Sequence, residues 1–230
     1  MRLNIAPPDR IRSLVSPIDA GIPLASPATR EHSRRLLGLP ADAKVVGTAA
    51  RLAVQKAPLD MVRAIAALRR PDVYMVWLGD GELRVKTERE IARHGLGERF
   101  LLLGERDDVF DLLPGFDVFA MSSLWEGLPC SLVEAMTCGI PVVSTSVNSV
   151  PEIIISGQTG LLARPGHPAS LSLAIGHLLD HPHEAARMAA TARAQIGEQF
   201  RPDTLARELA ESYDAALRHV AAAPARNGRG

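Results

Sequence analysis

The chain has 230 residues, 47% hydrophobic and 23% charged, with a formal net charge of zero, enough apolar material for one sizeable core or two small ones. With pI near 7.1, no block of like charge and only 4% aromatic residues, it lacks the basic surface of a general nucleic-acid or anionic-membrane binder and the stacking platforms of a single-strand binder. Nucleic acid is excluded as the expected partner. Cys130 and Cys138 sit eight apart in one turn-helix segment, where a disulfide would distort the helix and a metal would lack further ligands of suitable spacing, so both read as free thiols and fit a reducing compartment. No signal peptide opens the chain, and no apolar run approaches the roughly 20 residues of a membrane span, so cytoplasmic residence is the default, with peripheral attachment at the inner membrane face compatible with it.

In chain order, residues 1–43 read as a lead-in segment with a helix, and the first strand follows at 45–48. Further short apolar strands are expected at 73–78, 100–103, 118–121, 141–144 and 161–163. Each is almost wholly hydrophobic, as when helices cover both faces of a parallel sheet. Helices are expected between and after them, at 58–69 with Met61, Ile65 and Leu68 on one face, then at 82–94, 128–137, 169–180, 184–199 and 203–222. The alternation is that of βα units, giving an α/β, Rossmann-like, doubly wound parallel sheet. The tail at 223–230 reads as disordered.

In such a sheet the ligand crevice lies at the carboxyl ends of the strands. Arg51 and Lys56 follow the first strand, Gly79 to Gly81 the second, Glu105 and Arg106 the third, and Ser122 to Ser131 the fourth. Arg offers a planar fork and Lys a point charge, a pair suited to a diphosphate, although an ordinary solvated surface pair has the same sequence. Pro129 suits a first helical turn, leaving the amides of Cys130, Ser131 and Leu132 free at the positive end of the helix dipole, where an anion can bind. Glu134, one turn inside, can accept two ribose hydroxyls, while Glu126 stays on the loop, free to reach another part of the ligand. The bland alternative makes Glu126 an electrostatic cap and Glu134 a solvated surface residue. His94, His167, His177, His181, His183 and His219 are scattered and read as surface residues rather than metal ligands.

Glu126 and Glu134 eight apart, Arg51 and Lys56 five apart, GlyAspGly at 79–81, LeuGlyGluArgAspAsp at 103–108, and ValProGluIle with GlyGlnThrGlyLeuLeu within 150–162 resemble the retaining glycosyltransferases of family 4, of GT-B fold. The resemblance spans residues 44–200 and implies the carboxy-terminal, donor-binding half of a two-domain enzyme. Residues 14–27 resemble the segment that introduces this domain, and the thirteen before them are too few for another. By the same resemblance, Arg51 and Lys56 bind the diphosphate with help from amides at Cys130 and Ser131, Glu134 holds the ribose and Glu126 contacts the donor sugar. Gly79 belongs to the same nucleotide site, and the Glu105–Arg106 loop meets the base. The expected catalytic set is Glu126, Arg51 and Lys56. The donor is a nucleoside-diphosphate sugar, the acceptor is an unassigned saccharide, lipid-linked sugar or other molecule, and neither a metal nor a further cofactor is implied.

Two departures stand out. Lys56 is followed by Ala57 and Pro58 where relatives commonly have Gly, and Pro129 occupies a frequent Gly position, which implies an altered backbone approach to phosphate and a weakened donor site. In intact relatives the last helix, here 201–222, crosses back to an acceptor domain. Its stripe Leu205, Leu209, Tyr213 and Leu217 is then expected to be exposed, docked differently or paired with a second copy. A donor domain of a transferase, a non-catalytic or vestigial nucleotide-sugar module, and an epimerase or phosphorylase of similar architecture are the competing readings, in that order.

Overall fold

The computed structural model describes residues 14, 16–18, 21–40, 42–197 and 200–222, in two compact units. The larger unit, 21–196, carries α1 (Pro27–Leu37), β1 (Lys44–Ala49), α2 (Pro58–Leu68), β2 (Val73–Leu78), α3 (Arg84–Arg93), β3 (Phe100–Leu102), α4 (Val109–Leu112), β4 (Val118–Met121), α5 (Cys130–Cys138), β5 (Val142–Thr145), α6 (Val150–Ile153), β6 (Leu161–Ala163), α7 (Pro168–Asp180) and α8 (Pro182–Gln195). The smaller unit, formed by the two chain ends, carries α9 (Pro202–Ala222).

The six strands among the described residues are all parallel, in the order β3-β2-β1-β4-β5-β6. Strand alternation explains the two layers. Val46, Met75 and Trp77 enter a core with Met61, Ile65, Leu171 and Ile175, whereas Val45, Val76 and Leu78 enter the opposite core with Phe119, Leu132 and Met136. Every residue from Val45 to Thr48 is buried, which is why the strand carries no charge past Lys44 and does not alternate apolar with charged residues. Both layers depend on it.

Helix starts are set locally. In α1, Ser26 Oγ accepts from the Thr29 amide at 3.2 Å and Thr29 Oγ1 accepts from the Ser26 amide at 2.9 Å, a reciprocal cap followed by Pro27. Arg34, and with it Arg30, then reach Asp117 just before β4, where the Asp117 carboxylate also accepts the Val45 amide at 2.7 Å.

The expected strands all form, within one residue at each end. The helices differ more. The turn after Gly81 delays α3 to Arg84, two residues later than expected, and α8 starts at Pro182 and ends before Ile196, whose ψ of 97° leaves the helical region. The one-turn helices α4 and α6 are too short for a periodic sequence signal. On α9, Leu205 and Leu209 are half-buried while Tyr213 and Leu217 are exposed, so the stripe is uncovered at its far end. The tail expected to be disordered lies outside the described residues, as does most of the expected lead-in before Gly21.

Candidate donor site at the strand ends

The sheet order reverses between β1 and β4, and the loops leaving these strands form the site. After β1 the chain passes Arg51, makes a short 3-10 turn at Val54–Lys56, and reaches Ala57 in a left-handed conformation, φ 45° and ψ 55°. Pro58 then opens α2. Ser122, at the end of β4, donates to the carbonyls of Lys56 at 2.7 Å and Ala57 at 3.1 Å, and the Leu124 amide donates to Gln55 O at 2.8 Å. The two loops are fastened together.

This fastening creates the site's main electrostatic feature. Lys56 Nζ lies 2.6 Å from Glu126 Oε1, with side chains 16% and 3% exposed. Ser123 Oγ donates to the same oxygen at 2.6 Å. Among the described residues, Oε2 receives a long contact from Gln55 Nε2, 3.4 Å. The Glu126 amide donates to Asn148 Oδ1 at 3.1 Å, and Asn148 holds φ 42°. Glu126 is therefore not free on its loop as the sequence implied; it is buried, and neither is it a first-turn cap of α5. The burial follows from Thr145, whose hydroxyl donates to Ser123 O at 2.5 Å, and from Ser149, which bonds Gly127 O, pinning the loop from the β5 side.

Arg51 is exposed, with no ion pair to a described residue. Glu134 and Ser131 are half-buried on α5. Burial first, then the neighbouring Glu134 carboxylate, pushes the Cys130 thiol above its ordinary value, and the same thiol also feels Lys56 and Glu126. The two glutamates, the lysine and the cysteine thus share one electrostatic neighbourhood. The α5 terminus departs from expectation. Pro129, at ψ 79°, is the residue before the helix, so α5 begins at Cys130; the Cys130 amide bonds Leu128 O at 3.0 Å and the Leu132 amide bonds Pro129 O at 3.0 Å. Of the three expected amides, only that of Ser131 lacks a backbone partner among the described residues.

Gly79 is explained by packing. Its φ is 123°, its amide bonds Gly104 O at 2.7 Å, and a Cβ there would stand 2.2 Å from Ala50 O. This brings the β2 and β3 loops against the Arg51 loop. Arg106 is exposed and forks onto Asp108, with Nε 2.7 Å from Oδ1, and its hydrogen bonds hold the Asp108 carboxyl below its ordinary value. Cys130 and Cys138 are free thiols, as expected. A separate concavity of about 220 Å³, lined by Arg30, Lys44, Asp117, Ile140 and Pro182, lies at the amino ends of the strands and has none of this chemistry.

Gln55, Thr145 and Asn148 support the site without having been expected, whereas Ser123 lies within the expected 122–131 stretch. Only Asn148 carried a signal, since Asn tolerates left-handed backbone. The histidines are not all scattered: His177 and His181 stack, with ring centroids 4.3 Å apart.

Residues 29–195 match the family model described as glycosyl transferases group 1. A 2-deoxystreptamine N-acetyl-D-glucosaminyltransferase of Streptomyces fradiae is 32% identical, covering 99% of this chain and 54% of the relative. The lipopolysaccharide core biosynthesis mannosyltransferase LpsB of Rhizobium meliloti is 30% identical, covering 84% and 57%. Anabaena Alr3699/HepE, solved in complex with UDP and glucose, superposes with a TM-score of 0.81 at 28% identity over 86% of this chain and 55% of that one. The chain spans about half the length of the curated relatives it matches. Its sheet and flanking helices match the carboxy-terminal domains of GT-B glycosyltransferases.

Proposed function

The chain belongs to the group 1 glycosyl transferases, and from that premise we propose that it is the donor-binding half of a retaining, family 4 type enzyme that moves a sugar from a nucleoside diphosphate to an acceptor. The observation that carries this reading is the Lys56–Glu126 pair, fastened at the strand-order reversal beside Arg51 and α5. An ammonium has three N–H donors. Glu126 Oε1 takes one, which orients Lys56 and leaves two for the diphosphate, while Arg51 supplies a second, exposed cation. As the bond from the anomeric carbon to the diphosphate breaks, negative charge grows on the leaving oxygens, and these cations with the Ser131 amide neutralise it. Glu134 holds the ribose, Glu126 Oε2 meets the donor sugar, and the Arg106 loop meets the base. The donor chemistry then proceeds on side chains and amides, with no metal required there.

Groups that orient the acceptor belong, in this reading, to a second domain that docks on the α9 stripe. One observation favours the second reading, a nucleotide-sugar module without transfer: the Cys130 amide is already committed to Leu128 O, which narrows the phosphate cradle.

Thermal unfolding with UDP, GDP, ADP and their sugar conjugates tests the site. One base should raise Tm, with about 2.7 kcal/mol of stabilisation at about 100 times Kd. Arg51→Ala and Glu134→Ala should abolish the shift without unfolding the chain. No shift with any nucleotide would overturn the proposal.

A further inference from the structure

The break between α7 and α8 gathers ligating groups that the donor site does not use. His181 closes α7 and opens α8, with φ −121° and ψ 64° ahead of Pro182. This places His177 in the last turn of α7 and Glu184 in the first turn of α8. His177 Nε2 is 3.0 Å from Glu184 Oε2, and His181 Nδ1 is 2.9 Å from His177 O. One ring nitrogen of each histidine and one carboxylate oxygen lie within 4.8 Å of one another, the one such group among the described residues.

We propose that His177, His181 and Glu184 bind a divalent transition-metal ion of the zinc class, stapling α7 to α8 across Pro182. The chemistry favours it in three ways. A carbonyl only accepts, so His181 Nδ1 carries the proton and its Nε2 lone pair is left for a metal. Two ligands each about 2.0–2.1 Å from a tetrahedral ion stand about 3.3 Å apart, and His177 Nε2 and Glu184 Oε2 are already that close, so an ion can replace the hydrogen between them. Two imidazoles and one carboxylate suit zinc, copper or nickel, whereas magnesium and calcium prefer all-oxygen sets. Side chains of His177 and Glu184 are 40% and 34% exposed, which lets an ion enter and water complete its shell. Neighbouring Asp180 is engaged by Arg70 at 2.5 Å and does not compete.

The test is calorimetric titration of the untagged chain with zinc chloride, backed by competition with a chromogenic chelator. One ion per chain is expected, with affinity weakened roughly tenfold or more in His181→Ala and in Glu184→Gln, and unchanged in His183→Ala, an exposed histidine outside the group. Magnesium should give no heat of binding, and cobalt should give a visible absorption band that His181→Ala removes. Absence of saturable zinc binding would overturn the proposal, as would equal affinity in a His177→Ala/His181→Ala double variant.

Discussion

Lys56 and Glu126 are more than two neighbouring charges. With both side chains largely out of water, each is the other's compensation, and removing one leaves a buried charge. Lys56→Met should therefore cost about 3–5 kcal/mol of stability, and Lys56→Met/Glu126→Leu should recover much of it; denaturant titration of the single and double variants checks both. A cost as small as that of a surface pair would show that the carboxylate finds water instead. At Cys138, burial raises the thiol from its ordinary 9.0 to about 11. Between these two pH values the unfolded chain has lost a proton that the folded chain keeps, so stability falls as pH rises through that window and levels off above it. Cys138→Ala should flatten the alkaline limb of the stability curve, measured from pH 8 upward.

The elements that matter are loops held by other loops. The β1 loop is tied to the β4 loop through Ser122 and Leu124, and the β4 loop to the β5 loop through Ser123, Thr145 and Asn148. Ala57 sits at the tightest point, in a left-handed conformation that costs a residue with a Cβ about 1–2 kcal/mol. A glycine at this place would adopt the same backbone without that cost. Ala57→Gly should stabilise the chain by about 0.5–1 kcal/mol, the relief of strain being partly offset by a more flexible unfolded state, as read from the denaturation midpoint. It should also loosen the approach to Lys56, so nucleotide affinity measured beside stability separates the two effects. Gly79 shows the converse, since its lack of a side chain lets the β2 loop lie against the Ala50 carbonyl.

For the whole molecule, the proposal separates binding from transfer. In the proposed reading, nucleotide recognition draws on loops of one unit, whereas positioning the acceptor supplies a large part of a transfer rate. The isolated chain should therefore retain nucleotide binding and show little transfer. Radiolabelled sugar transfer, measured with and without an added acceptor domain from a relative, checks this, and robust transfer by the chain alone would contradict it.

Much of the architecture was legible in the linear chain because parallel strands covered on both faces must be apolar throughout, and the turns between them carry Gly and Pro. That reasoning placed the strands 73–78, 118–121 and 161–163 at their observed limits and put Arg51, Lys56, Glu126 and Glu134 at one edge of the sheet. Local chemistry could not reach further. Whether Glu126 is free or buried depends on Ser123, Gln55 and Asn148, which lie on three different loops. The loss of the Cys130 amide to Leu128 turns on a single ψ at Pro129. The meeting of His177, His181 and Glu184 needs a helix break at Pro182 with a particular angle. Sequence by itself determined which groups stand at the strand ends, because periodicity and burial are local. Only the tertiary structure decided which of them pair, because pairing at 2.6–3.1 Å is a property of loops brought together from distant parts of the chain.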